Sequence, residues 1–423
     1  MLSGAHRAAG YLPRYLDVEL DALIGPGTAI SIEGARGIGK TETAVRRSDA
    51  ILRLDDQATL QLVQADARMQ LTSHRRMCID EWQIHPPLWD AIRRLVDDHT
   101  DQEFLLTGSA VVPRGTAIHT GAGRIMSVRM RPMALSERAM TSPTVSIADL
   151  FEGSAEIQGS TEFTLADYAE QVCASGFPRI NQMDGRRQRA TLQGYVTNLL
   201  ERELPDNNLV VRSSESLLRW LRAYAAASST TASYDSIVNA ATPGEHDKPA
   251  KATTQRYREA LESLWILDPV TAWAPTGSHF SRLTAAPKHQ LVDPALAAQV
   301  LDVTPSSLTS PGSGNAEFFG QLFESLSTLT VRAAGQAAEA TTHHFRTRGG
   351  EQEVDLLLER YDGRILAFEV KLAAVIGDRD VRHLHFLQHR LGDRLVDKVV
   401  ISTGQQAYRR QDGVAVVPLA LLG

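Results

Sequence analysis

The chain has 423 residues, 43% apolar and 22% charged, and a formal net charge of -6. That length accommodates two or three domains, each with its own core, while the acidic balance excludes coating of nucleic acid through the overall field and leaves only local patches for it. Two cysteines, Cys78 and Cys173, are too few for a disulfide framework, the opening Met1-Leu2-Ser3-Gly4-Ala5-His6-Arg7 lacks the apolar core of a secretion signal, and no apolar run is long enough to span a bilayer. A cytoplasmic protein with no membrane partner is expected.

Ala29-Ile30-Ser31-Ile32 predicts a strand, followed by Gly34-Ala35-Arg36-Gly37-Ile38-Gly39-Lys40-Thr41 and then by the helix-like Glu42-Thr43-Ala44-Val45. Strand, glycine loop and helix in that order predict a phosphate-binding P-loop for ATP or GTP. Glycines let the backbone curl until several N–H groups face one phosphate chain, Lys40 sets a point charge on the β and γ phosphates, and Thr41 offers a hydroxyl to Mg2+. Short apolar runs at 51–54, 76–80 and 103–107 alternate with helical periodicity, which predicts a parallel sheet. Leu88, Ile92, Leu95 and Val96, behind Pro86 and Pro87, predict an amphipathic helix covering it. Met77-Cys78-Ile79-Asp80-Glu81 is a Walker B pattern: an apolar strand ends in acids, so that Asp80 would hold the Mg2+ hydration shell beside Thr41 while Glu81 orients the attacking water. Thr107 and Ser109 close the next strand with hydroxyls suited to sensing the γ phosphate, and Arg124, Arg129 or Arg131 would neutralise charge developing there. Arg124 acting across a subunit interface would make the chain a homo-oligomer.

The first domain is expected over 1–150, ending in the Ser/Thr/Gly-rich stretch 141–163. A second, over 151–312, reads as mainly helical. Its helices at 217–227, 234–240 and 253–264, followed by a strand or wing at 265–273, have the order of a winged helix-turn-helix, the third helix offering Gln255, Arg256 and Arg258 to DNA. Ser/Gly/Pro-rich residues 304–315 predict a linker. The last domain, 313–423, is predicted as a helix at 317–331, strands at 353–358 and 365–370, a helix at 378–390 and a strand at 396–402. There Asp355, followed by Glu369-Val370-Lys371, has the spacing of a PD-(D/E)xK nuclease core. A strand period of two puts Glu369 and Lys371 on one face, so Asp355 and Glu369 would hold a second metal while Lys371 places a water. Glu324 would add an acid from the preceding helix, and Arg346 and Arg348 would meet a phosphate backbone. The same residues also suit a half-buried sheet edge carrying a Glu369–Lys371 ion pair. Residues 339–423 hold 12 basic and 12 acidic side chains, which confers little general affinity for DNA. His385 and His389 stand at helical spacing without a third ligand and are read as surface or packing residues.

The series Tyr11-Leu12-Pro13-Arg14, Gly34 to Thr41, Ile79-Asp80-Glu81-Trp82-Gln83, Leu106-Thr107-Gly108-Ser109, Gly123-Arg124 and Arg131-Pro132-Met133-Ala134-Leu135-Ser136-Glu137 resembles the prokaryotic AAA-type ATPases that carry a C-terminal domain of unknown function. The resemblance continues through Gly176-Phe177-Pro178, Pro287-Lys288, Val292-Asp293, Glu353-Val354-Asp355 and Glu369-Val370-Lys371. It implies an α/β P-loop domain, ATP and Mg2+ as ligands held from Gly34 to Glu42, and ATP hydrolysis. Three functions then compete. The chain is an ATPase that passes its nucleotide state to a DNA-associated module, an ATP-gated metal-dependent nuclease, or a nucleotide switch that recruits a protein partner.

Overall fold

The run Ala29-Ile30-Ser31-Ile32 can be buried throughout because it forms a strand covered on both faces, as in the centre of a parallel sheet. In the computed structural model, which describes residues 10–108, 121–204, 214–242, 249–273, 286–310, 312, 314–347 and 349–423, this strand is β1 (Ala29–Glu33). It is joined by β2 (Ala50–Arg53), β3 (Arg76–Asp80), β4 (Glu103–Thr107) and β5 (Ile125–Arg129) in an all-parallel sheet of order β2-β3-β4-β1-β5. Pro87–Asp97 forms the expected amphipathic helix and buries Leu88, Trp89, Ile92 and Leu95. These pack with Met77, Ile79, Phe104 and Leu106 in one core, each large side chain contributing about 1.5–3 kcal/mol by leaving water.

Contacts end this first unit at Arg131 rather than at 150. The described residues up to Arg131, with Ser263–Trp265, form one compact unit and the remaining described residues form another. The reason is backbone pairing: the amides of Thr144 and Val145 donate to the Leu421 carbonyl, both at 2.9 Å, and Ile147 N–H donates to Gly423 at 2.8 Å. The hydroxyl-rich stretch is therefore part of the second unit, which takes in most of both the expected 151–312 and 313–423 segments.

The second unit begins as a helical region that includes Leu165–Ala174, Gly185–Asn198, Ser214–Ala226, Tyr234–Ala240 and helix Lys251–Ser263 up to Glu262. An antiparallel pair follows: Val270 and Lys288 exchange both backbone hydrogen bonds at 2.9 Å, and Asp268 N–H donates to Gln290 at 2.9 Å. The stretch 304–315, expected as a linker, instead contains a short helix, Pro305–Thr309, capped by Thr304 and anchored by buried Leu308. A mixed sheet of order β11-β12-β10-β9-β8-β7-β6 completes the unit. Its strands are β6 (Thr271–Ala272), β7 (Ala340–Arg346), β8 (Glu353–Arg360), β9 (Ile365–Val370), β10 (Leu395–Ser402), β11 (Tyr408–Arg409) and β12 (Ala415–Pro418). Helix Asp378–Leu391 lays Val381, Leu384 and Leu387 on Ile365, Ala367 and Val400 of that sheet. The long helix Ala316–Ala337 packs against β7. The whole is α/β, with a parallel sheet, a helical middle and a mixed sheet in chain order. No helix among the described residues is long and apolar enough to cross a membrane.

Candidate functional site

The loop after β1 turns back on itself because its glycines permit it. Gly34 has φ +149°, and a Cβ there would lie 2.3 Å from the Met130 carbonyl oxygen and 2.6 Å from Ile38 Cδ1, so no other residue fits. Ala35 and Ile38 are buried, while Arg36 and Gly37 face solvent. Lys40, 6% exposed, points its ammonium into the loop and donates to the Gly34 and Ala35 carbonyls, both at 2.7 Å. Gly39 precedes helix Lys40–Val45 with φ 102°, and Glu42 in its first turn is exposed. Curled backbone, inward ammonium and small residues together form a cradle into which a phosphate chain fits.

The sheet order places the ends of β3 and β4 beside this loop. Asp80 and Thr107 are register partners, and Asp80 Oδ1 accepts hydrogen bonds from Thr41 Oγ1 at 2.8 Å and from Thr107 Oγ1 at 2.6 Å. Three residues far apart in sequence thus meet on one carboxylate oxygen. Hydroxyl and carboxylate oxygens are the donors that Mg2+ prefers, so the residues present fit that ion. Glu81, the next residue, adopts φ 54° and ψ 44°, a left-handed conformation uncommon for glutamate. Strain of this kind collects where a side chain must point a particular way. The Gln83 amide donates to Glu81 Oε2, an orienting contact that no pattern in the sequence singled out beyond its place in the resemblance. Cys78, buried on β3, has its thiol pushed up to about 12 by burial and then by the Asp80 charge, and is no nucleophile.

Arg124 is not brought to this edge. Ile125 pairs with Ala29 at the start of β1, so Arg124, one residue earlier, lies at the opposite end of the strand from the loop, about 17 Å from the level of Glu33 at about 3.3 Å per residue. There it donates to Asp97 Oδ1 at 2.8 Å. Arg129, which pairs with Glu33 at the end of β1, lies at the loop's edge, and Arg131 follows it in the chain. Ser109 lies outside the described residues. Two residues outside the motif brace the loop: Arg14, 6% exposed, donates to the Ile38 carbonyl at 3.0 Å and the Arg131 carbonyl at 2.6 Å. Tyr11 OH donates to Asp17 at 2.9 Å and contacts the Thr43 hydroxyl at 3.0 Å.

The second unit gathers its own ionisable cluster. Lys288, side chain 2% exposed, places its ammonium 2.7 Å from Glu324 Oε1, 2.9 Å from Asp355 Oδ1 and 3.5 Å from Glu353 Oε1. Lys371 lies 2.8 Å from Glu369 Oε1, the expected ion pair, although β9 is central and buried rather than a half-buried edge. Burial raises Glu324 to about 8, against the pull of Lys288, and burial with the Asp355 charge raises Glu369 to about 8. Asp355 is lowered, because Lys288 and Lys371 outweigh its burial. Among the described residues no group of three or more His, Cys, Asp and Glu side chains is disposed to hold a metal ion. Asp355 and Glu369, expected to hold a second metal, have Lys288 and Lys371 respectively at hydrogen-bond distance. Arg348 lies outside the described residues, and Arg346 donates to Thr231.

His344 stands beside this cluster, 1% exposed, with Nε2–H donating to the Ala286 carbonyl at 3.0 Å. Burial and then Lys288 lower it from 6.5 to about 4. A folded value below the unfolded one means the unfolded chain binds more protons between them, so the contribution is present above about 6.5 and lost as pH falls towards 4. Glu324 and Glu369 shift with the opposite sense, so the effect is read as a difference. The stability advantage of wild type over His344→Gln should shrink by about 2 kcal/mol between about pH 7 and 5 in urea unfolding. An advantage that stays constant over that range would show that His344 does not titrate as its surroundings dictate.

Residues 27–139 match the family described as AAA domain. That segment contains β1 to β5, the glycine loop, Asp80, Glu81 and Thr107, so the first unit is similar to ATPase-like, nucleotide-binding domains. Residues 165–307 match a domain of unknown function, DUF8612, and residues 319–422 another, DUF4143. No curated protein matches the chain.

Proposed function

We propose that the chain binds ATP with Mg2+ between Gly34 and Glu42, hydrolyses it, and passes its nucleotide state to a second unit that associates with DNA. The observation that carries the nucleotide half is the convergence of Thr41 and Thr107 on Asp80 beside the loop that holds Lys40. Bound Mg2+ would supply neutralisation of phosphate charge. Lys40 binds the phosphate chain, Asp80 and Thr41 are the oxygen donors to the ion, and Thr107 fixes Asp80. Glu81, aimed by its left-handed backbone and by Gln83, accepts a proton from water.

The DNA half draws support from the three helices and following antiparallel pair, an order used by winged-helix readers. On helix Lys251–Ser263, Arg258 is stacked over Tyr234 at 4.5 Å and lies 3.8 Å from Glu262, and Gln255 donates to Glu259. Arg256 is exposed and is the residue assigned to a phosphate contact. Arg256→Glu should weaken binding to a short DNA duplex by about tenfold at low salt and remove any DNA stimulation of ATP hydrolysis, leaving basal hydrolysis unchanged. Unaltered DNA affinity in fluorescence anisotropy would mean that the helix serves only as core.

Two competing readings make different demands. ATP-gated cleavage draws on Asp355, Glu369 and Lys371 at adjoining strands, and requires Mg2+- or Mn2+-dependent nicking that Asp355→Ala and Lys371→Ala abolish. A switch that recruits a protein partner, or a homo-oligomer that supplies Arg124 to a neighbouring copy, requires tight nucleotide binding, with turnover absent in the first case and concentration-dependent in the second.

A further inference from the structure

The carboxylate cluster of the second unit is built around a lysine. We infer that Lys288 stands permanently where a divalent ion would bridge Glu324 and Asp355, and that this domain uses a tethered ammonium in place of a metal. The contacts engage at least one oxygen of each carboxylate, and Glu369 Oε2 is buried without a partner. Asp355 Oδ1 is 2.9 Å from Lys288 Nζ, Asp355 Oδ2 accepts from the Val370 amide at 2.9 Å, and Glu369 Oε1 accepts from Lys371 at 2.8 Å. Glu324 Oε1 is 2.7 Å from the same ammonium. Mg2+ or Mn2+ would need several of these oxygens at once at about 2.0–2.2 Å, and a second cation within about 3 Å of the ammonium would be strongly repelled.

Lys288 cannot withdraw easily. It exchanges both backbone hydrogen bonds with Val270, one residue before β6, which pairs with β7 through Thr271 and His343. A swing of its side chain towards solvent would leave the Asp355 carboxylate buried without its ammonium partner and take from Glu324 Oε1 the donor it accepts from, the costly way to break such a group. Lys288 therefore ties the antiparallel pair it forms with Val270 to helix Ala316–Ala337 through Glu324 and to β8 through Asp355 and Glu353. The cluster is a charge-satisfied joint in the second unit and performs no metal-dependent cleavage.

The test uses the full chain carrying Asp80→Asn, without nucleotide, so that the first unit contributes no ion. Mn2+ is titrated and the free ion followed by electron paramagnetic resonance. Expected is no bound Mn2+ sensitive to a further Asp355→Asn change, and no Mn2+-dependent DNA cleavage. Adding Lys288→Met should create one Mn2+ site at least roughly tenfold tighter than any in the parent, lost again with Asp355→Asn. A parent that binds one Mn2+ abolished by Asp355→Asn overturns the inference, as does a folded Lys288→Met chain that gains none. If Lys288→Met does not fold, the parent alone decides: a thermal unfolding midpoint raised by Mn2+ in the parent, but not with Asp355→Asn, overturns it, and an unchanged midpoint in both upholds it.

Discussion

Lys40→Ala is expected to weaken ATP binding by at least about a hundredfold and to reduce hydrolysis to background. The ammonium is buried within the loop and donates to the carbonyls of Gly34 and Ala35; alanine would remove both the charge that meets the phosphates and the contact that holds the loop's curl. Charge-assisted bonds of this kind are roughly twice as strong as neutral ones, and two or three of them account for that factor at about 1.4 kcal/mol per tenfold. Glu81→Gln should behave differently. It keeps shape and a hydrogen-bonding side chain but cannot accept a proton, so binding should persist while turnover falls roughly a hundredfold. A fluorescent ATP analogue and a phosphate-release assay separate the two. Hydrolysis at the wild-type rate in Lys40→Ala would place the activity elsewhere.

Asp293→Ala is expected to be the most destabilising of the substitutions considered, by about 3–5 kcal/mol. The carboxylate is fully buried; Oδ2 accepts from Ser175 Oγ and Gly176 N–H, both at 2.7 Å, and Oδ1 accepts from Ala295 N–H at 3.0 Å, capping helix Pro294–Val300. Ser175 is held at φ 68° by this contact, and Gly176 lies so close to Met133 that a Cβ would sit 2.5 Å from its carbonyl oxygen. Truncation leaves buried donors unsatisfied and releases a strained turn. Against a typical margin of 5–15 kcal/mol, that loss should be visible as a lowered urea midpoint of the second unit. A shift below about 1 kcal/mol would mean the loop finds other acceptors. Gly176-Phe177-Pro178 and Val292-Asp293, recognisable in the sequence only as landmarks of a resemblance, thus serve one buried turn.

Strands whose residues alternate or run apolar were legible: β1, β2, β3, β4, β8, β9 and β10 all coincide with expected segments. β7 was not, because Ala340–Arg346 carries Thr342 and His344 inward and its pairing with β8 shifts register between His343 and Phe345, which destroys the period of two. β12, four residues long, is too short to display a pattern. Hydroxyl-rich composition around 141–163 resembles a linker, whereas the amides of Thr144 and Val145 are held by the Leu421 carbonyl, which no local pattern reveals.

Lys40, Thr41, Asp80 and Glu81 could be named from the sequence because the chemistry of phosphate and Mg2+ demands fixed residue types at short spacing, and adjacent strands carry that spacing into space. Which arginine ends level with the loop depended on sheet register, which puts Arg124 at the far end of β5 and Arg129 opposite Glu33. The Lys371 partner of Glu369 was legible two residues away, whereas the Lys288 partner of Asp355 is remote from it in the chain. No local pattern encodes that meeting; it is set by the antiparallel pairing of Val270 with Lys288 and by the order in which the strands of the second sheet lie side by side.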